Sequence, residues 1–106
     1  MTTIEDIILQ KDGRNISALR PYLPSNYAEE AADLILDHPG KALIVTGFYI
    51  VYAEAPETDG PPGAVAIGEA LARIGYEVAY VTDKYSSDVM KSVAGDSPVI
   101  EFPVAD

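Results

Sequence analysis

The chain has 106 residues, of which 48% are hydrophobic and 23% charged, so it carries enough apolar material for one modest core and too little for a full-sized doubly wound fold. Seventeen acidic against seven basic side chains give a formal charge of −10, which disfavours nucleic acid and anionic membrane as partners because the few Lys and Arg are not clustered. With no cysteine there are no disulfides, thiolate metal sites or cysteine nucleophiles. No apolar run reaches the length of a membrane span, and the acidic start Met1–Asp6 is unlike a signal peptide, so a cytoplasmic location is expected.

In chain order, Thr3 caps a short helix with Ile4, Ile7 and Ile8 on one face and Glu5 and Asp6 in the first turn; Asp12 and Gly13 end it. Ile16 to Leu23 reads as a turn of helix broken by Pro21 and Pro24. Asn26 and Glu29 have capping-box spacing ahead of a helix whose stripe is Tyr27, Ala31, Leu34 and Ile35, stopping before Pro39 and Gly40. His38, at that helix end, suits the last carbonyls and is given no catalytic role. Ala42 to Thr46 is almost entirely apolar, the pattern of a central parallel strand.

Residues 47–61 form a connection far longer than the roughly two to six residues usual between strand and helix, which marks it as functional. Within it Tyr49 to Tyr52 are locally strand-like, and Tyr49 and Tyr52 suit either a lid or packing onto the sheet. Pro62 is expected at the first position of a helix with stripe Ile67, Leu71 and Ile74, closed by Gly75. Glu77 to Thr82 is a strand, Ser86 or Ser87 starts a helix with Val89, Met90 and Val93 inward, Gly95 ends it, and Val99 to Val104 is a third strand on which Pro103 indicates an edge.

This succession predicts a single α/β domain over 1–106. Its architecture is a three-layer Rossmann-like half-fold, with a short parallel sheet ordered 3-2-1, helices on both faces and two helices preceding the first strand. A half-sheet leaves an unpaired edge and apolar surface, so a homo-oligomer or a partner chain completing the sheet is expected.

The strand end Ile44, Val45, Thr46, Gly47, Phe48 and the run from Glu57 through Thr58, Asp59, Gly60, Pro61, Pro62 and Gly63 to Ala64 resemble the signature of the D-glutamate cyclase-like family. The likeness extends to Gly13–Ile16, Ala31–Ala32, the helix Gly63 to Gly75, and Val81, Thr82, Asp83, and corresponds to the amino-terminal half of that family's domain. The resemblance implies a lyase that cyclises D-glutamate to 5-oxo-D-proline with loss of water, acting on a small carboxylate without a cofactor.

Such a reaction needs a base near the amine, donors for the developing oxyanion and an acid for the departing water. Candidate catalytic residues are Glu57, Asp59 and Asp83; candidate substrate-binding residues are Thr46, Gly47, Thr58, Gly60, Gly63 and Lys84. The amides opening the Pro62 helix, with Gly63 allowing close approach, suit one carboxylate, and Lys84 the other. Each has a plainer reading: Asp59 as a turn former before Gly60, Glu57 and Lys84 as solvated charges, Asp83 as a helix cap, Thr46 and Gly47 as a strand end, Arg14 as a surface charge. No metal-ligand spacing occurs. The competing function classes are a small-anion or nucleotide-binding module, disfavoured by the lack of a G-x-G-x-x-G or Walker lysine motif, and an assembly fragment without catalysis.

Overall fold

The computed structural model describes residues 2–103, so Val104, the expected end of the third strand, lies outside the described residues. The chain divides into two compact units, Met1–His38 and Pro39–Asp106.

In the first unit, helix α1 (Ile4–Ile8) begins at a full capping box: Thr3 Oγ1 accepts the Asp6 N–H and Asp6 Oδ2 accepts the Thr3 N–H. A 3₁₀ helix, Ile16–Tyr22, contains Pro21. Its entry is held by the Asp12 carboxylate, which accepts the Ile16 and Ser17 N–H groups and the Ser17 hydroxyl, while Asn15 takes a left-handed conformation at φ 58°. Helix α2 (Tyr27–Asp37) has no side-chain cap from Asn26, which corrects the expected Asn26–Glu29 box. The carboxylate of the buried Glu5 in α1 accepts the Ala28 N–H instead, at 3.1 Å, satisfying one of the orphan donors of the α2 start. His38 Nδ1 lies 2.8 Å from Leu34 O, as its place at the helix end predicts. The expected α2 stripe is not buried: Leu34 and Ile35 are exposed.

The second unit begins with strand β1 (Lys41–Val45). A small antiparallel hairpin follows, β2 (Tyr49–Ile50) and β3 (Ala55–Pro56), with a 3₁₀ turn Val51–Ala53 between its strands, so the long connection has its own structure. Helix α3 (Gly60–Arg73), strand β4 (Glu77–Thr82), helix α4 (Ser87–Val93) and strand β5 (Val99–Glu101) complete it. The sheet is parallel in the order β1-β4-β5, with Val45 opposite Val81 and Thr82 opposite Glu101. β4 is the middle strand; β1, expected to be central, is an edge of this sheet among the described residues.

Two successive right-handed crossovers in one direction put both helices on one face. Ala64 of α3 and Met90 of α4 accordingly form the core with Val78 and Tyr80 of β4, flanked by Ala42, Ile44 and Val99. Within this unit the other face is open, and Leu43, Val45 and Ile100 are exposed there, so the expected cover on both faces is not provided by α3 and α4.

Shape decides which helix residues face inward. Tyr80, 1% exposed, lies across Gly68, where an added Cβ would stand 2.0 Å from the Tyr80 Oη. Small residues therefore face the sheet along α3, namely Ala64 and Gly68, whereas Ile67 and Ile74 of the expected stripe are exposed. On α4 the buried residues are Ser87 and Met90, with Val89 and Val93 exposed. Gly75, at φ 101°, closes α3 as a Schellman cap, its N–H donating to Ala72 O and the Tyr76 N–H to Leu71 O.

Candidate functional site at the carboxyl rim of the sheet

Parallel strands in an α/β sheet aim their carboxyl ends at a common rim, where ligands of such folds bind. β1 and β4 leave the sheet side by side: the Thr46 N–H donates to Val81 O at 3.0 Å, one residue beyond the strand, and the Phe102 N–H to Thr82 O at 2.6 Å. At this rim, on the open face, is a cavity of about 410 Å³ lined by Leu43, Val45, Thr46, Gly47, Val81, Asp83 and Phe102. Cavities of about 460 and 640 Å³ lie in the first unit, along the Lys11–Arg14 loop and between α1 and α2. They are larger, but no strand ends converge there.

Three expected residues, Thr46, Gly47 and Asp83, thus line one cavity. Asp83 does two things. Its Oδ1 accepts the Tyr85 and Ser86 N–H groups, each at 3.0 Å, which caps the turn into α4. Its Oδ2 faces Gly47, lying 3.1 Å from where a Cβ on that glycine would be. Gly60 joins the group from the far end of the connector, since a Cβ there would stand 2.7 Å from Thr46 Oγ1.

The remaining expected residues are not among those lining the cavity. Helix α3 begins at Gly60, so Pro61 and Pro62 occupy its second and third positions rather than Pro62 the first. Neither proline has an N–H, and the Gly63 N–H donates to Asp59 O at 3.2 Å. The expected row of free amides reduces to Gly60 as the single N–H among the first three helical positions. Asp59 stands at the N-cap position without a side-chain cap bond, and Thr58 is exposed beside it. Half-buried Glu57 ties the connector to the strand end through its N–H, which donates to Phe48 O at 2.7 Å. Lys84 Nζ lies 5.2 Å above the ring of Tyr85, which is stacked on Tyr49 with centroids 4.1 Å apart. Tyr49 therefore packs the hairpin against the β4–α4 turn, while Tyr52 is 92% exposed.

One residue was not anticipated. Thr82 is 2% exposed, and its hydroxyl has no hydrogen-bond partner among the described residues; the Ser87 hydroxyl, equally buried, shares that state. Thr82 Oγ1 lies 3.6 Å from the Cβ position of Gly47, but Thr82 is not among the residues lining the cavity. In sequence Thr82 belongs to the family-like segment Val81, Thr82, Asp83, but it also continues the alternation Val78, Tyr80, Thr82 that faces the helices, and it is given no site role.

The fold defines the chain as a Rossmann-like α/β half-fold, and the cavity where β1 and β4 end is mostly apolar, with Thr46 and Asp83 as its polar side chains. The pattern of the family described as "D-glutamate cyclase-like, C-terminal" matches residues 4–105, and the chain belongs to that family. It is also similar to the human protein "D-glutamate cyclase, mitochondrial", with 38% identity over 68 residues, covering 62% of this chain and 11% of the human protein. The chain thus spans about a tenth of that relative's length. No solved structure matches it. Among the described residues, no helix is long and apolar enough to cross a membrane.

Proposed function

We propose that the chain contributes a D-glutamate-binding site of the cyclase type, in which an amino acid closes on itself by losing water. The observation that carries this reading is the match of the family pattern over residues 4–105 in a chain whose rim gathers Thr46, Gly47, Gly60 and Asp83. In the reaction the α-nitrogen attacks the γ-carboxyl carbon, one carbon–oxygen bond breaks, and two of the three ammonium protons leave with that oxygen as water. A carboxylate beside the amine is therefore needed to take up the first proton. Asp83 is assigned that place, with Oδ1 anchored and Oδ2 turned to the cavity. The Gly60 N–H and Thr46 hydroxyl are the donors nearest a developing oxyanion, and Asp59 or Glu57, on the connector just ahead of Gly60, is assigned the acid that releases water.

A carboxylate at the rim also speaks against an anion or nucleotide module, since an anion placed against Asp83 would be repelled. The exposed Leu43, Val45 and Phe102 beside the cavity support association with a second copy or a partner chain. The test is to incubate the purified chain with D-glutamate and follow 5-oxoproline by proton NMR, with L-glutamate as control. Formation from the D isomer is the expected result; absence of both turnover and saturable D-glutamate binding refutes the reading.

A further inference from the structure

The two edges of the parallel sheet are built differently. The Gly40 carbonyl and the Thr46 N–H both bond to β4, so the backbone groups of the even-numbered residues of β1 point to β4 and those of Lys41, Leu43 and Val45 point to the free edge. The side chains of these three share the open face, where all are exposed. On β5 the outward residues are Val99, Glu101 and Pro103, and a three-residue strand with a charge and a missing N–H resists pairing. β1 has five residues, an N–H at each outward position and, among the described residues, no strand beside it. The site at its end has a matching deficiency. D-glutamate brings two carboxylates, whereas the rim cavity is lined by one charged residue, Asp83, and by no Lys or Arg.

We infer that a second copy of this chain pairs its β1 antiparallel to this one about a two-fold axis at Leu43, and that Lys41 of the second copy supplies the cation of the rim site. The inference rests on the amino-acid reading above and adds its partner and a carboxylate-binding residue. The register centred on Leu43 pairs all three outward residues: Leu43 faces its own symmetry mate, and Lys41 faces Val45 in both directions, each as a hydrogen-bonded pair. An axis normal to the sheet keeps the two open faces on one side. Lys41 of the second copy then stands across from Val45, with Leu43 and Gly47 as its diagonal neighbours, and all three of these line the cavity. Its stem covers Val45 and its ammonium reaches the rim. Charge favours this occupant, because each chain has a formal charge of −10 while the outward row of β1 carries a cation and no anion.

The test reads the mass of the full chain by light scattering together with its D-glutamate affinity by calorimetry. A dimer is expected. Leu43→Pro removes the outward N–H at the axis without touching a bond to β4, and Leu43→Lys sets like charges opposite each other; both are expected to give monomers with the circular dichroism of the wild type. Lys41→Ala is expected to stay dimeric and lose D-glutamate affinity about tenfold or more, with Lys41→Arg restoring most of it. Asp83→Asn, which keeps an oxygen for the Tyr85 and Ser86 N–H groups, is expected to bind weakly alone. Mixing it with Lys41→Ala is expected to recover wild-type affinity at about a quarter of the sites, because a mixed dimer joins an intact Asp83 from one copy to an intact Lys41 from the other. A monomer that binds D-glutamate saturably, with or without some other polypeptide on β1, overturns the inference and leaves the amino-acid reading standing. So does a dimer whose Lys41→Ala form binds like wild type, or whose two variants fail to complement. Wild-type protein without D-glutamate binding overturns both.

Discussion

Thr46 Oγ1 occupies the place a Gly60 side chain would need, 2.7 Å from its Cβ position, so the end of β1 and the start of α3 touch at a residue without a side chain. This contact brings together two segments separated by a hairpin. Gly60→Ala forces Thr46 to move, and we expect it to cost about 1–2 kcal/mol by overpacking and to weaken D-glutamate binding. Thr46→Ala in the same background removes the obstructing oxygen and restores most of the stability. Urea denaturation of the four proteins in the cycle measures this, and strict additivity would show that the contact has no energetic content.

The contact of Tyr80 with Gly68 is tighter. Gly68→Ala puts a methyl group 2.0 Å from the Tyr80 Oη and 2.7 Å from its Cζ, in a core with nowhere to yield, so we expect a loss of about 3 kcal/mol or more. Tyr80→Phe removes the nearer atom and recovers part of it. A Gly68→Ala protein melting within a few degrees of wild type would contradict the packing described.

Acid should weaken the first unit only below about pH 4. Asp6 is held below the ordinary aspartate value of 3.8, first by the Thr3 N–H and then by Arg20, whose guanidinium lies 2.9 Å away. Asp12 is lowered chiefly by the Ser17 hydroxyl. For carboxyls depressed on folding, the stabilisation is fully present above the unfolded value and disappears as pH falls from there through the lower folded value. Stability should therefore be flat above about pH 5 and decline below about pH 4. Asp12→Asn should reduce the slope of that decline in chemical denaturation between pH 5 and 2; an unaltered slope would show that Asp12 does not contribute.

Stacking of Tyr49 on Tyr85 holds the hairpin beside the β4–α4 turn. Tyr49→Ala should cost about 1 kcal/mol and speed hydrogen exchange at the Glu57 amide, which donates to Phe48 O, more than at the Tyr80 amide in the sheet. Uniform acceleration would mean that the stack supports the whole unit rather than the hairpin.

Elements governed by local chemistry were legible before any coordinates: the Thr3 cap, Gly75 in a left-handed cap, the β4 span, and the parallel sheet with its two crossovers. What escaped was set by distant neighbours. Asn26 loses its capping role because Glu5, far back in the chain, reaches Ala28. Ile67 yields its inward place to Gly68 because Tyr80 needs the room. The apolar run of β1 reads as doubly covered, yet periodicity reports only that a strand is apolar and not what lies against it. At the site, Thr46, Gly47 and Asp83 could be grouped from topology, whereas the apolar lining by Leu43, Val45 and Phe102 depends on a sheet face that α3 and α4 leave uncovered.

The most direct measurement is a D-glutamate titration of the isotope-labelled chain followed through backbone amide NMR shifts. The account predicts saturable shifts gathered at Thr46, Gly47 and Asp83, with smaller ones at Gly60. Shifts confined to the Lys11–Arg14 loop or to the Gly63 turn of α3, with the rim silent, would contradict it.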